Sequence, residues 1–460
     1  TGGHLAGTAL YVQGGTLMSR TMTQETGLML KIAILMLALV LPGLTGAGSL
    51  VIVGGTVHPV SSEPFVGNVV VTDGRIAAVG TDVAAPAGTR TIDATGLHVY
   101  PGLFDAVSQL GLTEIGAVTA TNDQAEMGAY NPHLLASTAI HPASEVIPVA
   151  RANGITHALV APRTGTNGVI AGQAALVNLA GWTVEEMTME PALAMVITWP
   201  RIQTRRFDLA TFTVKETPYN EAKEKAEKAQ NELRDWLDAA RHYKQAMEGG
   251  SSRLETDPKL AALAQVLDGK MRVIIMAASK ADIEAAVAFA EEEDLNMILA
   301  GGRDAWQVKE LLAEKEVPVI LGLTESLPHE DDLPYDRPFR NPGELAAAGV
   351  KIAFASGAGG GFGPGGPHGS RTIPYEAEAA VPYGLPAAEA LRALTLNPAE
   401  MFGMEEHLGS IEAGKIANLI VTDGDPLQIQ TLIKHVYIAG VEVSTDNKHK
   451  RLYERYLGRK

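Results

Sequence analysis

Tyr100-Pro101-Gly102-Leu103-Phe104-Asp105-Ala106-Val107-Ser108-Gln109 decides the reading of this chain. Its apolar run, 99–105, is the first of seven strand candidates in the central segment. The others are 156–160, 193–198, 272–276, 297–300, 317–321 and 351–355. Amphipathic helical stretches separate them, and that alternation argues for a parallel sheet wrapped by helices. A barrel of this kind needs eight strands, and the eighth is expected between Leu110 and Ala120. Short strands also read at both ends of the chain, at 50–57 with 68–76 and at 419–422 with 435–438, the first pair carrying an Asp73-Gly74 hairpin signal. Such strands are not stable singly, so the two ends are expected to pair. The expected fold class is α/β: a (β/α)8 TIM-like barrel at 99–407 with a small β-sandwich domain built from both chain ends, 48–98 plus 408–445.

Size and charge narrow the function classes. The chain has 460 residues, 46% hydrophobic and 20% charged, with a formal net charge of −16, which is the composition of a globular protein with a large core. An acidic surface repels phosphate backbones, so nucleic acid is not an expected partner. The basic stretch at 446–460 reads as a solvated terminal helix. Residues 32–44 are apolar but too short to cross a bilayer, and with Met29, Lys31 and the small residues Thr45-Gly46-Ala47 they read as a signal peptide over 29–47, after an unpatterned upstream segment, 1–28. The expectation is a periplasmic or secreted protein with no stable membrane insertion after cleavage. Cysteine is absent, which excludes disulfides and thiolate metal sites.

An insertion at 218–268 carries its own pattern. From Ala222 to Met247, Ala226, Ala229, Leu233, Trp236, Ala240, Tyr243 and Met247 recur at alternating spacings of three and four. That is a long helix of roughly 40 Å with a coiled-coil-like seam. The seam packs on its own barrel or on the helix expected at Pro258 to Leu267, or serves as an arm for a homo- or hetero-oligomer.

The opening decapeptide resembles the first barrel strand of the amidohydrolase superfamily, particularly its imidazolonepropionase-like members. There, Pro-Gly-apolar-apolar-Asp-x-His-x-His gives two imidazoles to a catalytic divalent metal. The resemblance extends from Leu50 to Val443 and is strongest at Leu408-Gly409-Ser410-Ile411-Glu412-Ala413-Gly414-Lys415-Ile416-Ala417-Asn418-Leu419-Ile420-Val421, where Asn418 replaces a usual aspartate. It implies zinc or another divalent metal as cofactor and hydrolysis of non-peptide C–N bonds. The histidine positions, however, hold Val107 and Gln109. Later ligand positions fall at Met276, Ala300 and Gly357 or Ala358, and Lys280 is the nearest candidate for a bridging lysine. A bound metal brings water's pKa from about 15.7 to about 7, roughly 12 kcal/mol of activation at 1.36 kcal/mol per unit. A lone general base supplies about 10² to 10⁴-fold, roughly 3 to 5 kcal/mol, so one carboxylate does not replace the metal.

No His-x-His or His-x-x-x-His pair occurs among the twelve histidines, so no metal site and no cofactor is expected. Barrel enzymes place their chemistry at the C-terminal ends of strands. By that rule Asp105 and Glu325 are the candidate acid or base groups. Arg163, Asn167 and Gln173, in the glycine-rich stretch after the second strand, are candidate substrate-binding residues. The glycine-rich 357–369 segment is a candidate lid, and Glu330-Asp331-Asp332 a solvated acidic loop. Two functions follow as expectations: a protein of hydrolase ancestry, for cyclic amides or N-acyl compounds, with its metal centre lost; or a non-catalytic pseudoenzyme that binds a small molecule or partners an active relative.

Overall fold

The computed structural model describes residues 48–165, 167–208, 211–249, 255–358 and 366–459. The upstream segment and expected signal peptide (1–47) lie outside these, as does 359–365 of the expected lid.

The described residues open in a sheet. Strand β1 (Leu50–Val57) pairs antiparallel with β2 (Phe65–Thr72), which turns into β3 (Arg75–Gly80) through Asp73 and Gly74, both at positive φ (49° and 77°) as a two-residue hairpin requires. Strands β4 (Arg90–Asp93) and β5 (His98–Pro101) then lie parallel to β1.

One residue later the chain enters the barrel sheet with β6 (Leu103–Ser108), β7 (Ile155–Val160), β8 (Ile170–Asn178) and β9 (Thr188–Thr198). A separate hairpin, β10 (Arg205–Asp208) with the exposed β11 (Thr213–Glu216), interrupts the series. The barrel sheet then resumes with β12 (Arg272–Ala277), β13 (Met297–Gly301), β14 (Val319–Leu321) and β15 (Ile352–Phe354). Every neighbouring pair is parallel except β7 with β8 and β8 with β9, which are antiparallel. The eighth strand is therefore β8, and the expectation of one between Leu110 and Ala120 is wrong. That stretch is irregular, held by backbone hydrogen bonds such as Leu112 to Gln109 and Asp123 to Leu112. The sequence hides β8 because Ile170-Ala171-Gly172-Gln173 reads as a loop; Gly172 sits at φ 139°, and a side chain there would meet the Leu134 carbonyl at 2.8 Å.

The barrel interior is filled by Phe104, Leu159, Leu176, Ile274, Ile298 and Ile320, all buried. Its two outer strands, β15 and β6, meet without a ladder. Instead, Gly357 donates its N–H to the Val107 carbonyl (2.7 Å), while Ser356 donates its N–H and hydroxyl to the two Asp105 carboxylate oxygens (2.9 and 2.6 Å).

Helix α1 (Tyr219–Glu248), about 45 Å long by its rise, buries Ala222, Ala226, Leu233, Leu237, Ala240 and Tyr243. It packs along α2 (Pro258–Leu267), whose Ala262, Leu263 and Val266 join the same core, and its Arg241 reaches Glu293 (2.7 Å), just past α3 (Lys280–Glu292). The apolar seam thus faces its own chain, and Met247 at its end is exposed.

The chain finally returns through β16 (Leu419–Thr422), β17 (Ile433–Ile438) and β18 (Val441–Val443). Strand β16 lies antiparallel to β5, with Leu419 opposite Pro101 and Thr422 opposite His98, so both ends of the described chain share one eight-stranded sheet. Asn418 holds this sheet to the barrel: its amide donates to Asn178 (2.8 Å), its side-chain oxygen accepts from the Ala439 N–H (2.8 Å), and its carbonyl accepts from Gly102.

Candidate active site

The C-terminal ends of the barrel strands surround a cavity of about 300 Å³. Strand β6 delivers Val107 and the following Gln109, β12 delivers Met276, β13 delivers Ala300, and the segment after β15 delivers Gly357 and Ala358. These are the positions at which the superfamily resemblance expects metal ligands. A cation such as zinc requires several imidazole, carboxylate or thiolate donors together. Among the described residues no three His, Cys, Asp or Glu stand close enough to hold one. The donor set does not fit a divalent metal. Lys280 does not bridge anything here either: it sits on the surface of α3 beside Glu284 (3.9 Å).

Gln109 occupies the heart of this arrangement. It is 1% exposed, and its Oε1 is buried with no hydrogen-bond partner. Gly357 makes room for it: a Cβ there would lie 2.6 Å from Gln109 Nε2 and 2.8 Å from the Val107 carbonyl. Around the amide the cavity wall carries Arg163, which donates to the Gly357 carbonyl (3.3 Å) and whose burial holds its pKa below the ordinary arginine value. Thr164 and Thr198 pair across the wall (3.0 Å), and Arg201 stands at the rim. The one acid among the described lining residues, Asp282, is the N-terminal lock of α3, accepting from the Ser279 hydroxyl (2.6 Å) while its own N–H donates back to that oxygen (3.2 Å).

A second cavity of about 570 Å³ adjoins the first, sharing Arg201, Ala278, Gly301 and Ala358. It adds Arg303, Arg337 and His329, whose Nε2 lies 3.3 Å from the buried carboxylate of Asp304.

Of the five candidate site residues, only Arg163 lines either cavity. Asp105 is wholly buried in the barrel seam and spent on Ser356; burial pushes its pKa up while the serine hydrogen bonds pull it down. It is a closing element, not an acid or base facing substrate. Glu325 is exposed beyond the cleft, and it contributes only its backbone N–H, to Glu376 (2.8 Å). Glu376 is the buried carboxylate of that region, its pKa raised by burial and lowered by the N–H groups of Thr324 and Glu325. Asn167 takes an exposed turn position at φ 59°, and Gln173, inside β8, donates to the Pro132 carbonyl (2.8 Å). Arg201 was missed although Trp199-Pro200-Arg201 directly follows a strand candidate. The strand-end rule alone finds it.

A model described as Amidohydrolase family matches residues 338–447. The solved structure of an amidohydrolase from Thermotoga maritima MSB8 superposes with a TM-score of 0.74 at 28% identity, covering 86% of this chain and 99% of that one. The chain belongs to the amidohydrolase superfamily. Among curated members, the amidohydrolase tasK of Hapsidospora irregularis is 24% identical over 400 residues, 82% of this chain and 40% of that protein. The N-substituted formamide deformylase of Arthrobacter pascens is 56% identical over 45 residues, 10% of this chain and 8% of that one. This amidohydrolase-superfamily chain therefore spans well under half the length of the curated relatives it matches.

Proposed function

We propose that this superfamily member uses its barrel mouth to bind a small molecule and has given up metal-dependent hydrolysis of C–N bonds. One observation carries the reading: Val107, Gln109, Met276, Ala300, Gly357 and Ala358 together line the cavity where a metal centre would sit. Four of these six have no polar side-chain atom and a fifth has only a thioether, a poor ligand for a hard or borderline cation. A cavity of this size, mostly apolar with a few polar groups, suits a small ligand. The test is metal analysis of the purified protein together with turnover of N-acyl amino acids and cyclic amides, with and without added zinc or manganese. Substoichiometric metal and product formation at the buffer rate are expected. One equivalent of tightly held metal, or metal-dependent product, overturns the reading.

A second reading, metal-independent hydrolysis, has support from one feature. His329 lines the adjoining cavity with its Nε2 3.3 Å from the buried Asp304 carboxylate and 3.6 Å from Glu330, and an imidazole is the side chain most often used as a general base. It replaces the Asp105 and Glu325 pair as the basis for residual catalysis. Activity abolished by His329→Gln and indifferent to chelators supports it; inert protein removes it.

A further inference from the structure

The last helix of the described residues, α4 (Lys448–Leu457), starts at Asn447, whose side-chain oxygen accepts from the His449 and Lys450 N–H groups (3.0 and 3.1 Å). None of its residues is buried. Leu452, Tyr453, Tyr456 and Leu457 fall on one side of it by their spacing, and they stand 36% to 68% exposed. Basic side chains border this apolar row, Lys448 and Arg455 on one flank and Lys450 on the other. Arg451 is tied back to the body by Glu145 (3.4 Å) and Asp446 (3.0 Å). Lys448, Lys450, Arg455 and Arg459 pair with no acid among the described residues, and the two arginines lie instead over the Tyr456 ring (5.7 and 4.6 Å).

A different part of the chain brings a further apolar group to the root of this helix. Trp182, between β8 and β9, is 92% exposed while its N–H is fixed on Glu186 (2.8 Å). It shares the walls of a cavity of about 430 Å³ with Asn447 and Arg451, at the start of α4. Trp and Tyr rings concentrate where an apolar medium meets water, because each has an apolar body and a polar tip.

The size and charge of this surface decide its occupant. The row is roughly 15 Å long and one line of side chains wide, far short of the ~800 Å² per partner that a stable protein pair buries. A lipid surface asks for no matching shape and takes a basic amphipathic helix lying in its plane. The whole chain carries a formal charge of −16, but charges more than about 10 Å from the contact are screened at ordinary ionic strength, so the cations of α4 set the sign where contact is made.

We infer that α4 and Trp182 form a docking surface for an anionic lipid bilayer. The row and the indole enter the acyl boundary, and Lys448, Lys450 and Arg455 meet the headgroup phosphates. No helix among the described residues is long and apolar enough to cross a membrane; the contact inferred is a peripheral, reversible one, and it does not depend on what the cleft binds.

The test is hydrogen exchange and tryptophan emission of the full chain mixed with vesicles of phosphatidylcholine alone or of phosphatidylcholine and phosphatidylglycerol in equal parts. Both readouts are local, so the apolar stretch at 32–44, which contains no tryptophan, does not enter the comparison. Amides of 448–457 are expected to slow with the anionic vesicles and not with the neutral ones. Lys448→Gln with Arg455→Gln should raise the lipid concentration for half-protection about 25-fold, fivefold for each cation removed. Tyr453→Ser with Leu457→Ser, both at exposed positions, should abolish the protection. The emission should shift to the blue, and Trp182→Phe should remove that shift, since the other three tryptophans are buried or half-buried. Exchange indifferent to anionic vesicles, equal slowing by both kinds, glutamine variants that match the parent, or a blue shift that survives Trp182→Phe overturns the inference. So does slowing that appears without lipid as protein concentration rises, which would make a second copy the occupant.

Discussion

Asp105 is the residue whose role the structure changes most. It sits where a strand-end carboxylate would do chemistry, yet both its oxygens are taken by Ser356 across the barrel seam. Burial raises its folded-state pKa above the unfolded value. Stability from this site is therefore fully present below the ordinary carboxyl range and is lost as pH rises through the raised value. Asp105→Asn keeps an acceptor for the Ser356 N–H and a group for its hydroxyl, so it should retain fold and lose this pH slope in urea melts taken across the acid range. Asp105→Ala, which leaves the seam groups unpaired, should cost about 1–3 kcal/mol in the acid range, where the contribution of Asp105 is complete, and less as pH rises. Gly357 offers a second test at the same seam. Gly357→Ala drives a Cβ to 2.8 Å from a backbone carbonyl that has little freedom to move; a loss of about 1–3 kcal/mol in thermal unfolding is expected. Residue chemistry of this kind was partly legible in the sequence. The replacement of histidine by Val107 and Gln109 could be read directly, because it needs only identity at a motif position. The fates of Asp105, Glu325, Asn167 and Gln173 could not, since direction of a side chain depends on strand pairing 251 residues away in the case of Asp105 and Ser356.

At the scale of elements, seven barrel strands were legible as short apolar runs, although the first, 99–105, straddles β5 of the terminal sheet and β6 of the barrel, and the hairpin at Asp73-Gly74 was legible because its turn chemistry is local. Strand β8 was not, since alanine and glycine in Ile170-Ala171-Gly172-Gln173-Ala174-Ala175 give little β signal, and burial on both faces supplies what propensity does not. The long helix was legible in extent, and the Pro258–Leu267 helix, one of the partners expected for its seam, is one it meets. In the structure Leu233 and Leu237 are fully buried against α2 and the barrel core, whereas Met247 is 47% exposed. Leu237→Ala should therefore cost about 2–5 kcal/mol in denaturant unfolding, and Met247→Ala should stay within about 0.5 kcal/mol. Equal, small effects for both would mean that the helix face is covered by something other than this chain.

Across the whole molecule, the two ends of the described chain meet the barrel at one buried junction. His157 lies there, 4.5 Å from the ring of Phe104, with Nδ1 2.7 Å from the Thr156 hydroxyl and Nε2 buried without a partner. Burial lowers its pKa from 6.5 to about 3. The stability tied to the neutral ring is present above pH 6.5 and is lost as pH falls toward about 3, because only the unfolded chain takes up the proton readily. His157→Gln should flatten the acid limb of the stability curve over that window; an unchanged limb would place the acid sensitivity elsewhere.

The antiparallel strand in the barrel bears on how the chain reaches this state at all. Parallel strands must wait for distant segments to arrive, and closing long loops slows assembly. Ile155–Val160, Ile170–Asn178 and Thr188–Thr198 instead follow one another as an antiparallel meander joined by the short segments 161–169 and 179–187, so they can zip locally and offer both flanks as templates for the rest. Pulse-labelled hydrogen exchange during refolding should find amides of this trio protected before those of Met297–Gly301, Val319–Leu321 and Ile352–Phe354. A barrel that departs from eightfold regularity at one strand thereby gains a place to begin.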